Sequence, residues 1–224
     1  RADRVINFIS KVSICYFGDF DPNYARNRVI IRGLKENGVE VWPCHTNLKG
    51  FIGLVDLFKK HRDLKNKYNI LIVGYSDSRF ITPLARLLTR KPVVWDAFYS
   101  LYDSWVFDRK LISPKSLKAK SYWFLDWLNC KLSDIILLDT NEHIKYFSQT
   151  FYISNPKFLK VLVGTDDDIF YPREKDETNQ NFIVHFHGKL IPLQGVEYII
   201  RAAYILRNEK ITFRIIGTGQ EYKD

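Results

Sequence analysis

Acidic side chains follow two of the apolar runs that are typical of buried strands. Asp96 ends the run PVVWD, and Asp19 comes after Gly18, which follows the run KVSICYF. A carboxylate at the end of a strand can accept a proton from a hydroxyl group or hold that group by a hydrogen bond. Asp96 could equally cap a helix or pair with Arg109, and Gly18 could be an ordinary turn residue.

A cation and two glycines follow further apolar runs near the end of the sequence. Lys189 comes after VHFHG, and Gly217 and Gly219 come after TFRII. Lysine can bind a phosphate as a point charge, and glycine lets a ligand approach the backbone closely. By themselves these residues would be interpreted as a surface lysine and turn glycines. Gly-x-Gly without a third glycine is not a dinucleotide-binding signature.

The apolar runs alternate with stretches of helical character. Strands are predicted over residues 11–17, 39–43, 69–74, 92–96, 134–138 and 158–163, and helices over 24–37, 54–66, 79–89, from Ser113-Pro114 onward, and from a Thr140 cap to residue 149. Near-continuous apolar strands separated by helices predict an α/β domain with a doubly wound parallel sheet, covered on both faces. Such a sheet binds ligands at the carboxyl ends of its strands, where Asp19 and Asp96 fall.

The composition changes after residue 163. Residues 164–181 are polar and acidic, which predicts an interdomain linker, and a strand–helix–strand unit follows over 182–187, 194–208 and 211–216. One such unit cannot bury both faces of a parallel sheet. We therefore expect a first Rossmann-like domain over residues 1–163 and the truncated start of a second over 182–224. The missing remainder would lie in a longer parent chain or in a partner.

Bulk composition excludes several classes of protein. Hydrophobic residues make up 46% and charged residues 26%, which is typical of a globular chain. Three widely spaced cysteines without a CxxC pair predict reduced thiols in the cytoplasm, with no metal site or disulfide framework. No apolar run reaches the roughly 18 residues of a membrane-spanning helix. The net charge of +9 fits a solvated basic surface, an anionic membrane, a phosphorylated ligand or nucleic acid.

Three segments together resemble a known family. GTDDDIFYP (residues 164–172) resembles the crossing between the two domains of GT-B glycosyltransferases, and GKLIPLQGV (residues 188–196) resembles the opening of the donor-binding domain in the retaining group 1, or family 4, type. YFGDFDPNYARN (residues 16–27) resembles the amino-terminal segment of a subset of these enzymes. The combination is more specific than any one segment.

The resemblance implies an enzyme that moves a sugar from a nucleotide sugar to a glycan or lipid-linked acceptor with retention, and without a metal or other cofactor. Lys189 would stabilise charge on the leaving phosphate, and Asp96 would position the reacting groups or act as a general base. The implied donor-binding residues are Gly18, Lys189, Gln194, Gly217 and Gly219, and the implied acceptor-side residues are Asp19, Arg26, Asp103, Thr140 and Asn141. The family usually has arginine at Lys189 and lysine at Gln194, so this sequence keeps one cation of two.

A basic, aromatic segment over residues 98–131 leaves further interpretations open. Its rings could pack against the sheet, because Leu117, Phe124 and Leu128 fall at helical spacing, while its lysines face solvent. Alternatively, the segment could bind an anionic membrane on its cytoplasmic side, or single-stranded nucleic acid. No helix-turn-helix or RNP signature supports specific nucleic-acid binding. A non-catalytic scaffold that needs a partner is the remaining alternative.

Overall fold

A six-stranded parallel sheet organises the larger part of the protein. The computed structural model describes residues 12–76, 78–172 and 182–222. The strands of this sheet are β1 (Ser13–Gly18), β2 (Glu40–His45), β3 (Ile70–Val73), β4 (Val93–Phe98), β5 (Ile135–Leu138) and β6 (Phe158–Lys160). Their order is β2-β1-β3-β4-β5-β6, and every neighbouring pair is parallel. The predicted α/β fold class is confirmed.

Helices connect the strands and pack on both faces of the sheet. They are α1 (Ala25–Glu36), α2 (Gly50–Leu64), α3 (Ile81–Leu88), α4 (Leu117–Leu132) and α5 (Asn141–Phe151). Alternate residues of a strand point to opposite faces. Cys15 and Phe17 therefore join the main core with α2 to α5, whereas Ile14 and Tyr16 face α1.

Helical cover is incomplete on the α1 face. A groove of about 620 Å³ runs from α1 across β4, β5 and β6, and Leu137 and Leu159 are among its apolar lining residues. Leu159 is 52% exposed, as expected for a strand residue without a helix above it. In the described residues the prediction that both faces are covered is correct over β1 and β2 but wrong over β6.

The start of α4 differs from its prediction. Ser113 and Pro114 lie in a turn, and the helix begins at Leu117, where the Ser116 hydroxyl accepts a hydrogen bond from the Ala119 N–H at 3.1 Å. Pro114 is compatible with a helix capped by Ser113 and with one capped by Ser116. The local sequence therefore did not decide between the two serines. Leu117 and Phe124, predicted to face the core, are exposed.

Other rings of the basic, aromatic segment make the core contacts instead. Trp123 and Trp127 pack against the main core, and Trp105 and Tyr122 pack around Val106 and Ile112. The prediction that aromatic side chains of this segment pack in the protein is thus correct for these four rings. None of the helices in the described ranges is long and apolar enough to cross a membrane.

A smaller unit follows the sheet. Strands β7 (Phe182–Lys189) and β8 (Ile211–Thr218) form a parallel pair joined through α6 (Val196–Ile205). Large side chains of this unit, such as Tyr204 and Ile205, are exposed. This exposure is expected because two strands and one helix cannot enclose a core.

The segment between the two sheets packs on α1. The buried carboxylate of Asp166 lies 2.7 Å from Arg28 Nε and 3.0 Å from Arg32 Nη1, and Asp168 lies 2.7 Å from the same Arg32 nitrogen. Two arginines one helical turn apart thus hold the chain as it leaves the first sheet. Residues 173–181, the second half of the predicted linker, lie outside the described residues.

A buried ion pair joins three elements at the carboxyl edge of the large sheet. Arg79 Nε donates to Asp126 Oδ1 at 2.8 Å, and Asp126 Oδ2 accepts from the Ser100 hydroxyl and the Tyr102 N–H at 2.8 and 3.0 Å. Arg79 also donates to the carbonyl of Ser76 at 3.0 Å and to that of Tyr99 at 3.1 Å. Both charges are therefore satisfied, and the loops after β3 and β4 are tied to α4.

Replacing Asp126 should destabilise the first domain. Asp126→Ala leaves the buried Arg79 guanidinium without its counter-charge, so we expect the free energy of unfolding to fall by about 3–5 kcal/mol. Urea denaturation followed by circular dichroism measures this. Asp63→Ala, which removes an exposed carboxylate from α2, is the control and should have little effect. Equal stabilities of the two variants would contradict the structural role of Asp126.

Candidate functional site

The loops that follow β1, β3 and β4 meet at one edge of the large sheet, as a parallel sheet requires. Asn27 of α1 holds the first two together. Its Oδ1 accepts from the Tyr16 hydroxyl and the Tyr75 N–H, both at 2.9 Å, and its Nδ2 donates to the carbonyls of Asp21 and Tyr75 at 3.1 and 3.0 Å. This fully buried amide makes four hydrogen bonds, which is its full capacity.

Arg26 precedes Asn27 and pairs with Asp96 of β4. Arg26 Nε lies 2.9 Å from both Asp96 oxygens, and Nη2 lies 2.7 Å from Oδ1. The guanidinium also lies 4.5 Å above the ring of Phe98, which has a φ of +60°. The partner of Asp96 is thus Arg26 rather than Arg109, and the pair joins α1 to the end of β4.

The buried pairing bears on the chemistry of Asp96. Its carboxylate is 1% exposed, and burial raises its pKa, while the hydrogen bonds and charge of Arg26 oppose the rise. A carboxylate that already accepts three short contacts from a guanidinium has little capacity left to take a proton from a substrate. The geometry favours a positioning role for Asp96 over that of a general base.

A polar cleft of about 360 Å³ opens above this edge. Its lining brings together three cations, two carboxylates and four aromatic side chains from distant parts of the sequence. They are Lys49, Arg109, Lys189, Asp19, Asp21, Tyr24, Tyr75, Tyr99 and Trp105. Lys189 stands at the end of β7, so the smaller unit supplies one cation to a cleft built mainly by the first sheet.

Two polar atoms of the cleft residues are left without partners in the described structure. Asp19 Oδ1 and Arg109 Nε are both shielded from solvent and form no hydrogen bond there. The ammonium group of Lys189 likewise forms no hydrogen bond or ion pair with any residue in the described ranges. Buried polar groups are normally satisfied, so an acceptor and a donor of this kind on one cleft indicate a place for a polar ligand.

Gly18 gives Asp19 its position. Its φ is +137°, a conformation that other residues rarely adopt, and a Cβ there would lie 3.1 Å from Ile81 Cγ2. The glycine therefore serves the turn that leads from β1 to the carboxylate of Asp19.

Strand contacts account for the glycines of the smaller unit. A Cβ on Gly217 would lie 2.0 Å from the carbonyl oxygen of Gly188, and a Cβ on Gly219 would lie 2.3 Å from that of Leu190. Neither glycine lines the cleft, and Gln194 lies on an exposed turn (Pro192–Gln194) outside it. Close strand pairing alone thus requires glycine at both positions.

The remaining predicted residues lie around the cleft rather than in it. The Thr140 hydroxyl accepts the His143 N–H at 3.1 Å and caps α5, as predicted, and Asn141 is exposed at the first position of that helix. Asp103 lies in the helical turn after β4 (Leu101–Asp103), where burial raises the pKa of its carboxyl. The described residues contain no group of three or more His, Cys, Asp or Glu side chains that could hold a metal ion.

Spacing along the sequence did not single out most of the cleft lining, and Lys49 and Trp105 are two examples. Lys49 lies between β2 and α2, and Trp105 lies in a π-helical turn (Ser104–Asp108). A signal for Lys49 was present in the sequence. It is a cation in the short loop between the end of a strand and the start of a helix at Gly50. Trp105 had none, because its place depends on how the turn after β4 folds back.

Known structures share this architecture, although no protein-family profile and no curated protein matches the chain. HepE (Alr3699) of Anabaena in complex with UDP and glucose has 14% identity and a TM-score of 0.57 over 93% of this chain and 62% of HepE. Its complex with UDP-glucose has a TM-score of 0.55 at 14% identity, over 93% and 61%. The catalytic domain of starch synthase IV from Arabidopsis thaliana, bound to ADP and acarbose, has a TM-score of 0.58 at 12% identity, over 93% and 68%.

These likenesses show the fold. At the level of the fold, the predicted likeness to GT-B structures is confirmed. The chain spans less than two thirds of the length of HepE.

Asn27 offers a direct test of the site's scaffold. Asn27→Asp replaces two donors by a carboxylate that faces the carbonyls of Asp21 and Tyr75, so the free energy of unfolding at pH 7 should fall by about 2–4 kcal/mol. Burial would raise the pKa of the new carboxyl above its unfolded value of about 3.9. The variant's deficit should therefore be smallest below that value and grow as pH rises through the folded pKa.

Urea denaturation between pH 4 and pH 8 measures this effect. Asn66→Asp, an exposed position in the loop after α2, is the matched control and should show no growing deficit. A flat difference between Asn27→Asp and wild type across this range would contradict the role of the Asn27 amide as a buried donor.

Proposed function

We propose that this chain forms the acceptor side and part of the donor side of a glycosyltransferase that uses a nucleotide sugar. The observation that carries the proposal is the cleft, in which the unpaired Lys189 of the smaller unit faces Asp19 and the aromatic loops of the first sheet. The complexes of HepE with UDP-glucose and of starch synthase IV with ADP support a nucleotide-sugar donor.

The proposed reaction replaces one bond of the anomeric carbon by another and transfers one proton. An acceptor hydroxyl oxygen bonds to the anomeric carbon, the bond from that carbon to the diphosphate oxygen breaks, and the acceptor's proton leaves with the diphosphate. Negative charge grows on the diphosphate in the transition state, and a fixed cation lowers that barrier. We assign this role to Lys189, whose ammonium group is exposed at the end of β7.

We propose that Asp19 binds the acceptor. Its unpartnered Oδ1 can accept a hydrogen bond from a hydroxyl, and Tyr24 and Tyr75, whose ring centroids are 5.0 Å apart, offer an apolar wall beside it. Arg26 and Asp96 position these loops. Gly18 shapes the turn, and Thr140, Asn141 and Asp103 lie further along the same edge. Gln194, Gly217 and Gly219 lie outside the cleft, so their contacts with the donor stay predictions.

Several finer points of the proposal rest on the sequence alone, through the family resemblance, the cysteines and the change in composition. They are retention of configuration, the family 4 type, a reaction without metal, a cytoplasmic location, and domain limits at residues 1–163, 164–181 and 182–224. We further propose that the donor domain is completed by sequence beyond this chain or by a partner. No feature of the cleft favours a scaffold role or specific nucleic-acid binding.

Lys189→Ala in the full-length protein should lower kcat for sugar transfer by about 100- to 1000-fold, because the leaving diphosphate loses its cation. The measurement is release of labelled UDP or ADP from a panel of labelled nucleotide sugars. Lys189→Arg should keep most of the activity, because it preserves the charge.

Lys210→Ala is the matched control, since Lys210 is an exposed lysine just before β8, at the opposite end of the same two strands. It should leave turnover unchanged. Wild-type turnover in Lys189→Ala would refute the phosphate role, and absence of turnover with every nucleotide sugar would refute the proposed function.

A further inference from the structure

An apolar pocket adjoins the polar cleft. It has a volume of about 280 Å³, and Asp19 and Ser78 line both spaces. Its apolar lining comes from the loop before α2, from α2 itself and from the start of α3, namely Leu48, Phe51, Leu54, Leu57, Phe80 and Ile81. A ligand that fills both spaces must therefore be polar at one end and apolar at the other.

The solvent-facing side of α2 beside the mouth of this pocket is apolar. Its buried stripe is Gly53, Leu57 and His61, spaced four residues apart, so the residues that point away from the sheet include Phe51 and Ile52. Phe51 is 79% exposed and Ile52 is 68% exposed. Val55, Phe58 and Leu48 extend the patch at lower exposure. Side chains of this size gain about 1.5–3 kcal/mol each when they leave water, so this surface favours an apolar phase.

Basic side chains accompany the patch. Residues 49–65 contain five lysines and arginines against two aspartates. Lys49, Lys59 and Arg62 are exposed, while Lys60 pairs with Asp56 at 2.7 Å. An apolar helix surface with cations around it is the pattern that binds the interface of an anionic bilayer.

We propose that the acceptor of this enzyme is a lipid-linked amphiphile, taken from an anionic membrane on which the start of α2 rests. The polar head lies in the cleft beside Asp19, the adjoining apolar chain lies in the pocket, and Phe51 and Ile52 insert among the lipids. This inference rests on the proposed function and specifies its substrate class. It also moves the membrane contact from the aromatic segment, where Trp123 and Trp127 pack into the core, to α2.

The test uses the full-length protein with two readouts. The first is sedimentation with vesicles of phosphatidylcholine and phosphatidylglycerol at a ratio of about 3:1, and with vesicles of phosphatidylcholine alone. The second is the transfer of label from the UDP- and ADP-sugar panel to vesicles made from the source organism's own lipid extract. We expect wild type to bind the anionic vesicles preferentially and to place label in the organic-soluble fraction.

The double variant Phe51→Ser/Ile52→Ser should reduce vesicle binding and label incorporation about tenfold or more, because both inserting side chains become polar. Circular dichroism of the double variant should match that of the wild type, because both side chains are exposed. Leu87→Ser removes a side chain that is 85% exposed at the far end of α3 and should change neither readout.

The outcomes separate the two proposals. Donor turnover without vesicle binding, or label found only in water-soluble products, overturns the lipid-linked acceptor and leaves the glycosyltransferase proposal standing. A double variant that keeps wild-type vesicle binding also overturns it. The proposal is likewise overturned if the double variant changes only the oligomeric state in sedimentation velocity, because the patch would then be a protein interface. Absence of donor turnover under every condition refutes the proposed function itself.

Discussion

The cleft depends on buried arginine–aspartate pairs at the carboxyl edge of the sheet. A charge that leaves water loses several kcal/mol of hydration, and the loss is recovered only where the partner and the remaining hydrogen bonds are all in place. Arg79 meets this condition through Asp126 and two loop carbonyls, and Arg26 meets it through both oxygens of Asp96. Each pair is stable only while its hydrogen-bond partners stay in place. The loops around the cleft therefore have little freedom to move independently.

Asn27 extends this constraint without a charge. An amide that makes all four of its hydrogen bonds in a buried place specifies one arrangement of the two loops it joins. Two polar atoms of cleft residues, Asp19 Oδ1 and Arg109 Nε, are left without a hydrogen-bond partner in the described structure. Beside the cleft, Arg26, Asp96 and Asn27 therefore bind other protein groups, whereas Asp19 and Arg109 keep hydrogen-bonding capacity for a ligand.

Large apolar side chains are exposed to solvent in three places. The groove over β5 and β6, the exposed rings of the smaller unit and the outer face of α2 all leave large side chains in water. The first surface lies where no helix covers the large sheet, and the second lies on the smaller unit of two strands and one helix. The face of α2 differs, because its helix already packs on the sheet through Leu57 and still presents Phe51 and Ile52 outward beside cations and a pocket.

The sequence by itself determined the elements and the fold class. Strand and helix periodicity, the Thr140 cap and the place of Gly18 after β1 are local properties, and a few neighbouring residues decide them. Tertiary structure alone decided the partners. Asp96 meets Arg26, which is 70 positions away, and Asp126 meets Arg79, which is 47 positions away. The same holds for the exposure of Phe51 and for Lys189 joining a cleft of the first sheet. Such contacts depend on strand order, helix placement and the relation of two units, which spacing along one chain does not encode.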